Sequence, residues 1–133
     1  MKRIFLIFAI IGIMMPSYAV MHISIAEFIE RADGNTTYRL CGVVSNIVNM
    51  TYGNFTLEDE TGSIYVHGLL TATGQSKQFA SLGVVEGDTL TMEGVYKLYK
   101  GTHEVVDGQY ISHESAEEDE VERPEIDYTK TVV

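Results

Sequence analysis

The chain has no tryptophan, two prolines and one cysteine among its 133 residues. Because a single cysteine, Cys41, cannot form a disulfide within the chain, a framework of internal cross-links is excluded. A domain of this kind must be stabilised by its own apolar core, which favours a closed β-barrel over a small loop-rich scaffold. We expect Cys41 to lie in a strand beside that core, where cysteines are usually inert.

Basic side chains are also scarce, since 9 lysines and arginines stand against 19 aspartates and glutamates, a formal net charge of −10. Residues 20–113 alone contain 11 acidic and 5 basic residues. Proteins bind polyphosphates largely because lysine and arginine displace counterions. This composition therefore argues against a general nucleic-acid binder.

The first 19 residues are typical of a secretory signal peptide. Lys2 and Arg3 precede an apolar run at residues 4–15, and small residues follow at Ser17 and Ala19. The run would rise only about 18 Å as a helix, which is too short for a hydrocarbon core of roughly 30 Å. We expect cleavage after Ala19, a periplasmic or secreted mature protein, and no membrane insertion once the signal is removed.

Residues 114–133 contain eight of the acidic side chains, with Pro124 among them and little apolar periodicity. This composition predicts an acidic, solvated and disordered tail. An acidic helix or a partner-binding arm is the alternative. The predicted organisation is a signal peptide at 1–19, one folded domain at 20–113 and the tail at 114–133.

The folded part is predicted to be all-β with minor helices. Ser24 and Glu27 form a capping box that begins a short amphipathic helix. From residue 37 the apolar period becomes two, and Gly42 lies where a long first strand has to bend. Two further strands follow, then a short helix within residues 71–83, with Ser76 as a possible cap, and then two more strands. Five strands with a helix between the third and fourth are typical of a five-stranded Greek-key barrel.

Three segments also resemble one family in order and spacing. Residues 38–44 read YRLCGVV, residues 55–66 read FTLEDETGSIYV and residues 85–94 read VEGDTLTMEG. Together they resemble OB-fold (oligonucleotide/oligosaccharide-binding) domains related to the nucleic-acid-binding group, over roughly residues 22–113. A leading signal peptide is similar to that of secreted forms in Bacteroidetes. The resemblance implies a binding face on strands two and three, flanked by the first-to-second and fourth-to-fifth strand loops.

Aromatic and basic side chains occur where this resemblance implies a ligand. Tyrosines can stack on bases or sugar rings, and cations can meet phosphates. The structural alternative is that tyrosines are common strand residues with a wet hydroxyl. The segment from Lys97 to Lys100 places two cations and an aromatic at a loop of an otherwise anionic chain. The candidate ligand-binding residues are Arg39, Tyr52, Tyr65, His67, Lys97, Tyr99 and Lys100.

No catalytic or metal-binding arrangement is evident in the sequence, so we expect no enzyme, no metal and no cofactor. The histidines His22, His67, His103 and His113 are not spaced as ligands on one element. The resemblance implies a non-catalytic exported module that binds single-stranded nucleic acid, an oligosaccharide or another oligomeric ligand. The alternative is an exported adaptor whose barrel binds protein, glycan or a small cation.

Overall fold

The structure, a computed structural model, describes residues 20–116. The predicted signal peptide and nearly all of the predicted acidic tail lie outside these residues. The elements in chain order are β1 (Met21–His22), α1 (Ile25–Arg31), β2 (Thr37–Asn49), β3 (Asn54–Asp59), β4 (Gly62–His67), β5 (Leu69–Leu70), a 3-10 helix (Phe79–Leu82), β6 (Thr89–Tyr99) and β7 (Thr102–Glu114). Within residues 20–116, no helix is long and apolar enough to span a bilayer.

The five long strands form a closed ring in the order β2, β3, β4, β7, β6 and back to β2. Neighbours pair antiparallel except at one seam, where β4 and β7 run parallel. This seam has two register pairs, Tyr65 with Glu104 and Val66 with Val105. The predicted five-stranded OB-fold is confirmed, with β2, β3, β4, β6 and β7 as its strands one to five.

Alternating side chains of the strands fill the barrel interior, as the period of two predicts. Ile64 and Val66 are buried while Tyr65 and His67 face outward on β4. The predicted N-terminal helix, α1, covers one end of the core with Phe28. The predicted cap forms, because the Ser24 hydroxyl accepts a hydrogen bond from the Glu27 amide. The Glu27 carboxylate pairs with Arg31 one turn later.

Asp59 joins α1 to the turn between β3 and β4. One oxygen of its carboxylate accepts a hydrogen bond from the Ile25 amide at 2.9 Å, and the other accepts from the Thr61 amide at 2.8 Å and the Gly62 amide at 3.1 Å. Burial raises the pKa of Asp59, but hydrogen bonds from the Thr61 side chain and these amides outweigh it and lower the pKa below its ordinary value. The Asp59 carboxylate is therefore a clamp that fixes the start of the helix to this turn.

Gly42, where a bend is predicted, lies next to the point at which the first barrel strand passes from pairing with β6 to pairing with β3. A Cβ there would lie 2.7 Å from the carbonyl oxygen of Glu58 on β3, so only glycine lets the two backbones approach this closely. Beyond it, Asn46 adopts a positive φ of 50° and the register with β3 shifts. This irregularity reverses the alternation of inward and outward side chains along β2, so Ile47 packs against the core and Val48 is exposed.

The predicted helix between the third and fourth barrel strands is present as one 3-10 turn, Phe79–Leu82. Phe79 is fully buried and stacks on Phe55, with ring centroids 5.6 Å apart. Ser76 does not cap the turn, because its N-cap is Gln78, which makes no side-chain cap hydrogen bond. The turn closes the barrel end through its aromatic side chain.

Candidate functional site

Most of the predicted site residues lie on one outer face of the barrel. Tyr65 and His67 project from β4, with ring centroids 6.2 Å apart. Tyr52 lies in the turn between β2 and β3, and Lys97 and Tyr99 lie at the far end of β6. The face therefore joins the second and third barrel strands to both loops that flank them.

The loop between the last two strands is shorter than the sequence suggested. Strand β6 continues to Tyr99 and β7 begins at Thr102, so the turn consists of Lys100 and Gly101 alone. Both turn residues have positive φ, 49° and 83°, as type I′ hairpins require. Lys97 and Tyr99 therefore lie on a hydrogen-bonded strand ladder, where a loop was expected.

One depression of about 290 Å³ lies beside the β2–β3 turn. Tyr52, Asn54, His67 and Gly68 line it. The Tyr52 ring is 46% exposed, and the Lys77 ammonium lies 6.0 Å from its centroid. The side-chain oxygen of Asn54 is buried and has no hydrogen-bond partner among the described residues. This depression thus has a half-exposed ring for stacking in its lining, with a cation beside that ring.

A second depression of about 240 Å³ shares His67 with the first. Its other lining residues are Lys97, Tyr99, Glu104 and Val106. The Tyr99 ring is 47% exposed, and the ammonium groups of Lys97 and Lys100 each lie 5.3 Å from its centroid. We group the aromatic and basic side chains of the two depressions with the three that contact them as the tyrosine–lysine band, made of Tyr52, Tyr65, His67, Lys77, Lys97, Tyr99 and Lys100.

The positive charges of the barrel are concentrated on this band. Residues 20–116 contain five basic side chains, and three of them, Lys77, Lys97 and Lys100, belong to the band. Within that described part of the chain, none of the three forms an ion pair. The two arginines lie elsewhere and are neutralised by glutamates: Arg31 by Glu27 and Arg39 by Glu93. The band is therefore locally cationic on an acidic protein.

Arg39 was predicted as part of the binding face, and the structure places it apart from the band. It lies on β2 opposite Glu93 of β6, where its Nη2 donates to the Glu93 carboxylate at 2.6 Å and its Nε donates at 3.1 Å. Tyr96 also lies outside the band, because it packs against Phe28 and hydrogen-bonds His103. The other six predicted residues are brought together.

The sequence did not reveal Lys77, Asn54 or Glu104 as members of the site. Lys77 lies in a polar segment far along the chain from Tyr52, and nothing local indicates that the two meet. Asn54 lies beside the β2–β3 turn, where asparagine is common for local reasons. Glu104 stands opposite Lys97 in the hairpin register, a position where a solvated carboxylate is expected. It is instead only 7% exposed. Only the closed barrel shows these contacts.

Two larger depressions, of about 480 and 500 Å³, lie near α1 and the middle of β2. Both are lined by Cys41, Asp59 and Glu60, with a further glutamate in each. Acidic walls of this kind repel an anionic ligand. Across residues 20–116, no group of three or more His, Cys, Asp and Glu side chains is arranged to hold a metal ion. Size alone therefore does not identify the site.

Comparison with known proteins supports the fold. The barrel superimposes on asparaginyl-tRNA synthetase from Pyrococcus horikoshii with a TM-score of 0.50 and 20% identity, over 71% of this chain and 22% of the synthetase. The synthetase bound to asparaginyl-adenylate gives the same values. The telomere capping protein Ten1 from Saccharomyces pombe matches with a TM-score of 0.46 and 16% identity, over 84% of this chain and 96% of Ten1.

This chain thus corresponds to about a fifth of the synthetase's length, 22%. At 20% identity the likeness shows the shared barrel and no more. No protein-family model matches the chain. No curated protein matches it either.

Proposed function

We propose that this protein is an exported, non-catalytic module that binds a short segment of single-stranded nucleic acid along the tyrosine–lysine band. The observation that carries the proposal is the distribution of cations. Three unpaired lysines flank two half-exposed tyrosine rings, while both arginines are ion-paired elsewhere. Among the described residues, this is where a polyanion meets positive charge.

The band offers both interactions that a single strand requires. Tyr52 and Tyr99 are half exposed, and their rings can stack on bases, which is worth about 1–3 kcal/mol per base. The lysine ammonium groups lie beside those rings, where the phosphates on either side of a stacked base would pass. Because the rest of the barrel is acidic, it repels the backbone elsewhere and confines the strand to the band.

The shared architecture adds support. One protein with the same barrel is named as a tRNA synthetase, so a nucleic acid figures in its activity. The band also overlaps the position that OB-folds generally use, because it includes strand three and reaches both flanking loops. A neutral oligosaccharide could stack on the same tyrosines, but it would make no use of the three lysines.

Fluorescence anisotropy with a labelled oligothymidine, measured across a range of salt concentrations, tests the proposal. Three phosphate contacts predict a slope of about −2 in a plot of log affinity against log salt, since each contact contributes about −0.7 on a single strand. The double variant Lys97→Gln/Lys100→Gln should reduce the slope to about −0.7. Arg31→Gln, which removes the same type of charge from α1, is the matched control and should leave the slope unchanged.

The slope also distinguishes the two ligand classes. Absence of oligonucleotide binding, or binding that does not weaken with salt, would overturn the proposal. Binding of a neutral oligosaccharide that Tyr99→Ala abolishes, with no oligonucleotide binding, would assign the same face to glycans.

A further inference from the structure

Glu104 is a buried carboxylate at the floor of the binding band. The residue is only 7% exposed, and it lines the depression that contains Tyr99, Lys97 and His67. Its side chain forms no hydrogen bond or ion pair with any described residue. Its carboxylate oxygens remain accessible, since the enclosed side-chain polar atom without a partner in residues 20–116 is Asn54 Oδ1. The depression therefore contains an acceptor that the donors of a ligand can reach.

The neighbouring cation does not fill this role. Lys97 is the register partner of Glu104 across the β6–β7 ladder, so the two side chains share one face. The Lys97 ammonium nevertheless lies over the Tyr99 ring, 5.3 Å from its centroid. Tyr65, the partner across the β4–β7 seam, lies beside His67. Glu104 thus lines a depression together with the Tyr99 ring and one cation, Lys97.

We propose that Glu104 reads the edge of a base stacked on Tyr99 and selects guanine. This inference rests on the proposed function and names the base that the same surface prefers. A carboxylate only accepts hydrogen bonds, and its two oxygens accept two parallel N–H donors. Guanine presents two adjacent donors on its Watson–Crick edge, the ring N1–H and the 2-amino group. The pair matches the carboxylate as a bidentate contact.

The other bases fit less well for the same reason. Cytosine and adenine each offer one exocyclic amino group beside an acceptor nitrogen, so only one of the two oxygens is satisfied. Thymine and uracil offer one N–H between two carbonyls, which repel the carboxylate. The depression, at about 240 Å³, lies below the roughly 300–1,000 Å³ of pockets for drug-sized ligands, in keeping with a single flat ring.

The test compares short oligothymidines that carry one central guanine, hypoxanthine, adenine or cytosine. The full chain should bind the guanine probe about tenfold more tightly than the all-thymine probe, within the range expected of one bidentate base contact. Hypoxanthine lacks only the 2-amino group, so its probe should fall to the level of the adenine probe. Equal affinity for the guanine and thymine probes would overturn the inference.

Glu104→Gln is the diagnostic variant, because it keeps the size of the side chain but replaces one acceptor by a donor. Removing a negative charge strengthens binding of every probe, so the readout is the ratio of the guanine and thymine dissociation constants. The ratio should fall below about twofold, whereas the control Asp107→Asn, an exposed acid on the same strand, should keep it. Thermal unfolding of both variants checks that the barrel is intact.

The outcomes separate the two proposals. If oligonucleotides bind with the expected salt slope but Glu104→Gln retains the guanine preference, base reading by Glu104 is wrong and the nucleic-acid interface stands. If no oligonucleotide binds at all, both proposals fail together.

Discussion

The ammonium groups of Lys97 and Lys100 each lie 5.3 Å from the centroid of the Tyr99 ring, at the end of the β6–β7 hairpin. Both cations favour an electron-rich ring face, so the tyrosine is oriented before a ligand arrives. Tyr99→Ala should weaken oligonucleotide binding by about 5- to 150-fold, the equivalent of 1–3 kcal/mol of stacking. Anisotropy titrations measure this loss directly.

Two variants show whether the loss reflects stacking. Tyr99→Phe keeps the ring and should bind within about twofold of the unaltered protein. Leu98→Ala truncates the exposed neighbour, whose side chain points to the other side of the strand, and should have as little effect. An equal loss with Leu98→Ala would indicate that the whole hairpin, rather than one ring, had been disturbed.

Arg39 is expected to contribute to the stability of the barrel and not to oligonucleotide binding. Its guanidinium donates twice to the Glu93 carboxylate and has no place in the band. Arg39→Gln should leave oligonucleotide affinity within about twofold and lower the free energy of unfolding by about 1 kcal/mol, the upper range for a partly exposed pair. Urea unfolding and the same titrations give both quantities. A tenfold loss of oligonucleotide affinity in a folded Arg39→Gln variant would show that Arg39 belongs to the binding surface.

At the scale of single elements, α1 depends on a residue that belongs to another element. Asp59 accepts hydrogen bonds from the first turn of the helix and from its own turn, so its charged form stabilises both. Asp59→Asn should lower the free energy of unfolding by about 1–2 kcal/mol at neutral pH. Glu60→Gln, at the exposed neighbouring position, should change it little.

The pH dependence of this effect follows from the lowered pKa of Asp59. In the unfolded chain the pKa of an aspartate is near 3.9. The contribution of Asp59 to the free energy of unfolding is therefore complete above about pH 4, and it is lost as the pH falls through the lower pKa of the folded protein. The difference in stability between the unaltered protein and Asp59→Asn should therefore shrink in acid. A difference that stays constant from pH 7 to about pH 3 would contradict the carboxylate clamp.

The elements themselves were largely predictable, because local signals and tertiary packing agree there. The Ser24 cap and the alternation along β4 each follow from a rule that spans a few residues. The sequence could not show that Asn46 reverses the alternation of inward and outward side chains along β2. Asparagine can adopt a positive φ, and no neighbouring residue signals that it does so here. The site was predictable only where it followed the fold's usual binding face.

At the scale of the whole molecule, the barrel closes at a short parallel seam. Tyr65 pairs with Glu104 and Val66 with Val105, and these two register pairs join segments about forty residues apart. The band crosses this seam, because His67 comes from β4 and Lys97 from β6, with Glu104 on β7 between them. A ligand in the band therefore contacts both sides of the closure.

Binding should consequently slow hydrogen exchange at the seam. At a ligand concentration about 100 times the dissociation constant, binding stabilises the folded protein by about 2.7 kcal/mol. Hydrogen exchange at the amides of Val66 and Val105 can therefore slow by up to about 100-fold. The Ile23 amide, which bonds Arg39 at the far β1–β2 contact, should change much less. Equal slowing at all three amides would mean that the ligand protects only against global unfolding.

The position of the seam also determines the stage of folding at which the protein can first bind a ligand. The hairpin that supplies Lys97, Tyr99 and Glu104 is the last part of the barrel to leave a ribosome or a translocation channel. Before β7 docks against β4, the tyrosines and lysines lie on separate stretches of chain and present no common surface. A ligand that needs the whole band can therefore bind only after the barrel has closed.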